Sequence, residues 1–341
     1  MPAIPIQNIY YLLCYAWDAL DQGALVDVSK VPSTKLVDLF AHVLLSGLRH
    51  LVRMGLEQGY QETSEEISGL RGRLNTAASL RRASFIAGRA HCTYDEVTAN
   101  TLANRIIKTT LVNLERHSEL DSRLRDQAHG VIRQLPDVAT LHLSNNVFKS
   151  VSVTSNRRFY RFLLNVCELI NDSSLVEPTG SLKFRDFTRD DKKMWRLFQS
   201  FLQNFIRREC KQWAIKSEEI TWQATGGAHG RLNLLPRMVT DISVWRPGEY
   251  RIIDAKFYSE TLSRNFGVPK LHSDNLYQML AYVMNAQQRS GVQPEGVIIY
   301  PKVGEGLREE YHILGRKISI CTLDLSAPWR TVDREMRELF R

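Results

Sequence analysis

The sequence has no CxxC pair, and its cysteines are few and scattered. Structural zinc and iron–sulfur sites use closely spaced thiolates, so the sequence argues against both kinds of site. The number of cysteines is odd, which also argues against a disulfide framework. We therefore expect reduced cysteines in the core. They are Cys14, Cys92, Cys167, Cys210 and Cys321.

Three other kinds of segment are missing. No apolar run reaches the roughly 18 residues that a membrane-spanning helix needs, so we expect no membrane contact. The first residues lack a basic stretch followed by an apolar one, which argues against a secretory signal and predicts a cytoplasmic protein. No GxxxxGK[ST] motif occurs, so we expect this chain to bind no nucleotide through a P-loop of its own.

The charge of the chain is unbalanced toward the positive. Its 45 Lys and Arg residues exceed its 37 Asp and Glu residues, which gives a formal net charge of +8. An excess of this sign suits a polyanionic partner such as nucleic acid, although many basic proteins bind none. The length of 341 residues and the 43% of hydrophobic residues allow two domains, each with a core.

The first half of the chain alternates between helical and polar segments. Apolar residues at helical spacing predict a helix over 34–56, and further helices are predicted over 96–116 and 121–134. The segment 60–95 is polar and rich in glycine and arginine, and we predict an extended β-ribbon or loop there. The chain then becomes richer in turn residues over 135–160, which favours a domain boundary in that stretch.

The second half is predicted to be mostly strands after one long amphipathic helix over 190–212. Two later helices are expected, one over 273–289 and one from about residue 328 to the end. The predicted strands are 218–224, 232–245, 249–258, 296–301 and 310–325.

The candidate site lies on a predicted β-hairpin. Two alternating apolar runs flank Pro247-Gly248, and symmetric closure of this turn pairs residues whose numbers add to 495. Asp241 then faces Asp254, with Cβ atoms about 5 Å apart. Lys256 shares the face of Asp254, because side chains two residues apart on a strand point the same way. The other face of the hairpin is apolar and is expected to form core.

Two opposed carboxylates repel each other unless a positive charge lies between them. Mg²⁺ prefers oxygen ligands, and a nearby lysine can steady charge that develops on a phosphate. The Asp-x-Lys pattern is weak alone, because it recurs at Asp190–Lys192 and Asp191–Lys193, and Glu209–Lys211 is similar. Only the Asp254 copy follows an apolar strand and faces another acid. The alternative is an ordinary Asp–Lys pair on an exposed hairpin.

A helix downstream adds two polar side chains to this pattern. Gln278 and Tyr282 are four residues apart and share one helix face. An amide can hold a water or a phosphate, and a tyrosine hydroxyl can donate to a phosphate oxygen. The alternative is an ordinary half-buried helix face.

This order of residues resembles the PD-(D/E)xK nuclease superfamily, in the branch that carries a Gln-x-x-x-Tyr helix. The resemblance implies that Asp241, Asp254 and the Ala255 carbonyl bind Mg²⁺. It also implies a catalytic role for Lys256 and DNA-orienting roles for Gln278 and Tyr282. Many members carry a glutamate on the helix before the sheet, where this sequence has Gln199, so no third acidic ligand is expected.

Further motifs resemble the McrC family of McrBC restriction systems over essentially the whole chain. These motifs are residues 8–17, 69–73, 100–108 and 234–241. The resemblance implies a partner, McrB, that is a GTP-hydrolysing AAA+ hexamer and recognises modified cytosine in double-stranded DNA. It also implies that GTP is used by the partner and that the N-terminal domain docks in the pore of the hexamer.

The resemblance implies an α+β or α/β architecture with two domains. Residues 1–155 would form a mixed α/β domain that docks on the GTPase, and 156–341 a nuclease domain with a central mixed sheet flanked by helices. The segment 60–95 would be a β-finger that contacts the partner through arginines. The alternative is a solvated ribbon whose arginines bind nothing specific. The implied finger contacts are Arg71, Arg73, Arg81 and Arg82.

The sequence therefore predicts a Mg²⁺-dependent endonuclease subunit of a methylcytosine-directed restriction complex, which also stimulates GTP hydrolysis by its partner. Two alternatives stay open. One is a non-catalytic adaptor that activates a motor and keeps a degenerate nuclease fold. The other is a stand-alone DNA nuclease, which would have no need of a large N-terminal domain.

Overall fold

The computed structural model describes residues 4–31, 34–177, 181–226, 231–258, 263–265 and 268–341. The helices are α1 (Ile6–Ala16), α2 (Leu20–Gly23), α3 (Leu36–Met54), α4 (Thr76–Arg81), α5 (Leu102–Glu115), α6 (Ser122–Ile132), α7 (Asn145–Ser150), α8 (Arg158–Ser173), α9 (Asp191–Glu209), α10 (Ser273–Asn285) and α11 (Trp329–Leu339). The strands are β1 (Gly59–Ser68), β2 (Arg73–Leu74), β3 (Arg89–Thr98), β4 (Ser174–Val176), β5 (Leu182–Phe184), β6 (Ala214–Lys216), β7 (Glu219–Ile220), β8 (Met238–Val239), β9 (Ile242–Arg246), β10 (Glu249–Ala255), β11 (Ser263–Asn265), β12 (Val268–Lys270), β13 (Glu295–Pro301), β14 (Arg308–Ile313) and β15 (Arg316–Leu323).

The chain forms two compact units that do not follow a single cut in the sequence. The first, here called the sheet unit, contains Met1–Lys30, Thr34–Leu36 and Asp186–Arg341. The second, the finger unit, contains Val31–Ser33 and Val37–Arg185. The predicted boundary between 155 and 156 differs from this division at both ends. The N-terminal helix belongs to the sheet unit, and residues 156–185 belong to the finger unit.

The N-terminal helix joins the sheet unit through specific contacts. The buried side chain of Asn8 donates from Nδ2 to the carbonyls of Leu325 at 2.8 Å and Ala327 at 2.7 Å. Helix α1 also packs along α9, where the ring of Tyr15 lies 5.1 Å from that of Phe205. Helical periodicity shows that a face is buried but not which partner buries it. The sequence pattern therefore could not assign α1 to its unit.

A six-stranded mixed sheet forms the centre of the sheet unit, in the order β14-β15-β13-β10-β9-β6. Strands β10, β13 and β15 are parallel neighbours, and the remaining pairs are antiparallel. Helices α9 and α10 both pack on this sheet. The mixed α/β architecture with a central mixed sheet and flanking helices agrees with the predicted fold class.

Strand β10 is buried on both faces. Its even-numbered residues, such as Ile252, pack with Met279 of α10, whereas Phe257 just beyond the strand packs on Phe198 of α9, with ring centroids 6.0 Å apart. The sequence predicts one apolar face and one face reserved for the site. The structure corrects this, because parallel strands in the middle of a sheet are covered on both sides. The site is therefore confined to the end of the strand.

The finger unit contains a long antiparallel hairpin made by β1 and β3, which pair from Gly59 with Thr98 to Ser68 with Arg89. Of the β-ribbon or loop predicted over 60–95, the structure forms a ribbon, and it also contains the short helix α4, which was not predicted. Strand β2 pairs with the other edge of β3, and α4 lies toward the far end of the hairpin. The chain reaches β2 through Gly72, whose φ is +64° and whose added Cβ would lie 2.5 Å from the Thr93 carbonyl. Only glycine fits this crossing.

The base of the hairpin is fixed by Asn104 in α5. This buried side chain donates from Nδ2 to the carbonyls of Glu57 at 2.9 Å and Ala99 at 2.7 Å. It also accepts a hydrogen bond of 2.9 Å from the hydroxyl of Tyr160 in α8. Both strands are thus attached at the base of the hairpin to the helices of the finger unit. Buried polar groups of this kind are stable only when they are hydrogen-bonded.

All five cysteines are buried, in agreement with the predicted core positions. Within the described ranges, no helix is long and apolar enough to cross a membrane.

Candidate active site

The predicted register of the site hairpin is correct. The structure pairs Glu249 with Arg246 and continues to Ile253 with Ile242, so each pair of numbers adds to 495. The next position in this register brings together Asp254, the penultimate residue of β10, and Asp241, which directly precedes β9. The turn at Pro247-Gly248 therefore aligns the two carboxylates from residues 13 positions apart in the chain.

The carboxylate of Asp241 is held by two donors. Its Oδ2 accepts a hydrogen bond of 2.9 Å from the backbone N–H of Ala255, and its Oδ1 accepts one of 3.0 Å from Nε2 of Gln199. Hydrogen bonds to both oxygens fix the plane of the carboxylate group. Asp241 is therefore oriented before any ligand arrives.

The carboxylate of Asp254 is held differently. Its side chain is only 2% exposed, and its Oδ2 lies 2.9 Å from the Lys256 ammonium. Among the described residues, no neutral N–H or O–H group donates to this buried Oδ2, so the ammonium is its partner there. A buried carboxylate oxygen of this kind is costly unless a further ligand binds it.

Lys256 begins a chain of hydrogen bonds that runs along α10. Its Nζ donates to Oε1 of Gln278 at 2.7 Å, and Nε2 of Gln278 donates to the hydroxyl of Tyr282 at 2.9 Å. That hydroxyl donates in turn to the carbonyl of Val239 at 2.9 Å. The structure thus unites the predicted Lys256, Gln278 and Tyr282. In this arrangement the amide and the phenol orient the lysine, and their contact with DNA stays a prediction.

Burial and charge shift the pKa values of the three ionisable groups. Burial raises the pKa of Asp254 to about 7, which the Lys256 ammonium opposes and the Asp241 carboxylate reinforces. Burial also raises the pKa of Asp241, against the Ala255 N–H and Lys256. Burial lowers the pKa of Lys256, but the two carboxylates outweigh it and raise that pKa overall. The lysine is thus protonated. The carboxyl of Asp254 gains or loses a proton near pH 7, so a cation that binds there would displace that proton.

The oxygen atoms gathered here fit a hard divalent cation such as Mg²⁺. Asp254 supplies a buried oxygen, Oδ2, to which no neutral group among the described residues donates a hydrogen bond. Asp241 supplies an oriented carboxylate at the position next to the Ile253–Ile242 pair. The described residues contain no group of three or more His, Cys, Asp or Glu side chains suited to a metal, so any ion would complete its shell with water or substrate.

The Ala255 carbonyl, a predicted metal ligand, already accepts a hydrogen bond of 2.7 Å from the indole Nε1 of Trp195. A carbonyl oxygen has two lone pairs, so this contact leaves one for a metal. Trp195 is not among the site residues predicted from the sequence. The available signal was its spacing from Gln199, since residues four apart on a helix share a face.

The predicted finger arginines lie in the finger unit and are exposed. Arg71 stacks on the ring of Tyr94, with its guanidinium carbon 4.0 Å from the ring centroid. Arg73 is in β2, Arg81 ends α4, and Arg82 follows it. The structure therefore supports their predicted exposure, while their contact with a partner stays a prediction.

Comparisons with known proteins give a consistent result. A family model described as "McrBC 5-methylcytosine restriction system component" matches residues 7–301. The chain is 37% identical over 340 residues to the "Type IV methyl-directed restriction enzyme EcoKMcrBC" of Escherichia coli strain K12. That alignment covers 99% of this chain and 98% of the relative.

Two solved structures from Thermococcus gammatolerans are also similar. One is a refined half-complex from a tetradecameric assembly of McrB AAA+ hexamers with bound McrC; it has a TM-score of 0.65 at 18% identity, over 98% of this chain and 75% of that chain. The other, a McrBC complex, has a TM-score of 0.45 at 21% identity, over 60% and 58% of the two chains. The first supports the fold alone. Because the family model covers most of the chain and the bacterial relative covers nearly all of it, the chain belongs to the McrBC family of 5-methylcytosine restriction system components.

Proposed function

We propose that this protein is the Mg²⁺-dependent DNA endonuclease subunit of a methylcytosine-directed restriction complex, with a sheet unit of the PD-(D/E)xK type. The observation that carries this proposal is the alignment of Asp241 with Asp254, beside a lysine held between Asp254 and Gln278. Family membership and the bacterial restriction enzyme that resembles the chain give the reaction class its context.

Each side chain has a distinct task in the proposed reaction. Asp241 and Asp254 bind the cation, and Lys256 stabilises charge that develops on the phosphate and orients the attacking water. Gln278 and Tyr282 hold the lysine in place through their chain of hydrogen bonds. A bound Mg²⁺ would polarise the phosphodiester and lower the pKa of a water ligand.

The proposed partner is an AAA+ GTPase hexamer that this protein stimulates. One similar structure holds McrB AAA+ hexamers with bound McrC. The finger unit offers a hairpin with exposed arginines, a feature suited to contact with carboxylates or carbonyl oxygens of another chain. The sequence has no GxxxxGK[ST] motif, which fits a complex in which the partner uses the GTP.

A single cleavage assay separates this proposal from its alternatives. Methylated double-stranded DNA is incubated with the full-length protein and Mg²⁺, with and without the purified GTPase and GTP. We expect cleavage only when all components are present. Cleavage by the protein alone would indicate a stand-alone nuclease. GTPase stimulation without any cleavage would indicate an adaptor.

Replacing Lys256 by Met should leave Mg²⁺ binding intact but slow cleavage by a factor of about 100. The reason is that the ammonium contacts Asp254 as a counter-ion, 2.9 Å from Oδ2, and is not itself a ligand. Calorimetric Mg²⁺ titration and single-turnover cleavage measure the two effects. Lys211→Met, an exposed lysine from the similar Glu209–Lys211 pattern, is the control. Loss of Mg²⁺ binding in Lys256→Met would contradict this division of roles.

Mg²⁺ binding should weaken as the pH falls through about 7. The pKa of Asp254 is about 7, so its carboxyl is mainly protonated and neutral below that pH and mainly charged above it. A proton and the metal compete for the same group, so affinity should fall by about tenfold for each pH unit below the pKa. Calorimetry across this range at constant ionic strength tests the expectation. An affinity that does not change with pH would contradict it.

A further inference from the structure

We propose that Trp195 and Gln199 of α9 are positioning residues that orient the ligands for one divalent cation and hold the site to a single ion. This inference rests on the proposed metal site. The two residues are four positions apart, so one helix face presents both side chains to the site. Both are neutral hydrogen-bond donors, and each meets a different candidate ligand.

Helix α9 donates hydrogen bonds to two candidate ligand oxygens. Trp195 donates from Nε1 to the Ala255 carbonyl at 2.7 Å, and Gln199 donates from Nε2 to Oδ1 of Asp241 at 3.0 Å. An N–H donor occupies one lone-pair direction of an oxygen and leaves another free. The two contacts therefore fix the directions in which these oxygens can bind a cation. Outer partners of this kind orient metal ligands and raise their affinity for metal.

The two carboxylates are held in different ways. Asp241 accepts hydrogen bonds from neutral donors on both oxygens, whereas among the described residues no neutral group donates to the buried Oδ2 of Asp254. That oxygen is held only by the Lys256 ammonium, 2.9 Å away. One carboxylate is thus pre-oriented, and a cation beside it would give the other a further partner.

The net charge of the site also favours a single ion. Two carboxylates and the Lys256 ammonium leave a single net negative charge, and α9 adds none because Gln199 is neutral. The described residues provide no third acid or imidazole for a metal group. The ammonium lies 2.9 Å from Oδ2 of Asp254, so it already neutralises part of the charge available to a metal. One divalent ion already brings this set to a net charge of about +1, so a second ion would meet net repulsion.

The experiment counts ions on the full-length protein with Mn²⁺ as the probe, by electron paramagnetic resonance of free Mn²⁺ and by calorimetry. Wild type should bind one Mn²⁺ per chain. Gln199→Met and Trp195→Phe remove the donors at similar size, and each should weaken binding by about tenfold. Gln203→Met, one turn further along α9, is the matched control and should bind as wild type does. Rescue of affinity in Gln199→Asn is not expected, because the shorter amide falls short of Asp241.

Gln199→Glu tests the ion count directly. It keeps the side-chain length and adds a carboxylate, so the number of bound Mn²⁺ ions should rise from one to two, a change that a merely structural residue would not produce. Two ions on the wild-type chain, or unchanged affinity in Gln199→Met, would overturn the inference. If Gln199→Met does not fold, an ion count of one in Gln199→Glu overturns it. Wild type that binds no Mn²⁺ would instead refute the proposed function.

Discussion

Asp254→Asn should reduce DNA cleavage by about a thousandfold or more while the protein still stimulates GTP hydrolysis by its partner. The substitution keeps the shape of the side chain and removes the negative charge that a cation needs. The affected group is the buried carboxylate of Asp254, which faces Asp241. Among the described residues, no neutral group donates a hydrogen bond to Oδ2 of Asp254. The measurements are cleavage of methylated duplex DNA and GTP turnover in the same mixture.

The control for this variant is Asp191→Asn, which changes another Asp-x-Lys aspartate that lies exposed in the first turn of α9. It should cleave as wild type does. Whether the variant folds as expected can be tested by measuring the free energy of unfolding against pH. The pKa of Asp254 is raised in the folded protein, so its stability contribution is present at low pH and is lost as the pH rises through about 7. In the absence of metal, the stability of Asp254→Asn should not show this decrease as the pH rises. Cleavage by the variant at the wild-type rate would refute the assigned site.

Replacing Arg71, Arg73, Arg81 and Arg82 by Ala should abolish stimulation of GTP hydrolysis, and with it DNA cleavage. These side chains are exposed in the segment that connects the two strands of the hairpin, on β2, α4 and adjoining residues, and contribute little to the core. Several guanidiniums desolvated together at an interface can dominate affinity, although one exposed ion pair contributes little. GTP turnover measured against rising concentrations of the variant should stay at the level of the partner alone.

A charge-matched control changes four exposed arginines elsewhere and should stimulate normally. These are Arg123, Arg133, Arg330 and Arg334. Replacing the four finger arginines by lysine separates charge from shape, since lysine lacks the planar fork of donors. An unchanged stimulation curve for the alanine variant would mean that the hairpin arginines are merely solvated and that the partner binds another surface.

The geometry of the site was predictable where it depends on local repeats. The period of two in strands and the symmetric turn were enough to align Asp241 with Asp254 and to place Lys256 on the same face. The period of the helix likewise united Gln278 with Tyr282. These relations involve residues close in the chain, where the backbone itself determines which side chains meet.

Contacts between distant elements were not predictable in the same way. Trp195 reaches the Ala255 carbonyl across 60 positions of the chain, and no local pattern encodes that meeting. The hydrogen bond from Tyr282 to the Val239 carbonyl also depends on how α10 lies on the sheet. For the same reason the two sides of β10 were not foreseen as equally buried. A single sequence records the polarity of a side chain but not the identity of its tertiary neighbour.

The sheet unit draws its residues from both ends of the chain, and this has a consequence for biosynthesis. Helix α1 leaves the ribosome well before α9 and α11, on which it packs. At usual translation rates the interval is on the order of tens of seconds. During that time Ile9, Leu12 and Leu13, all buried in the folded protein, lack the cover that α9 and α11 provide. The residues of the finger unit from Val37 to Arg185 are continuous in the chain and can fold as they are made, whereas α1 completes its packing only after α11 has been synthesised.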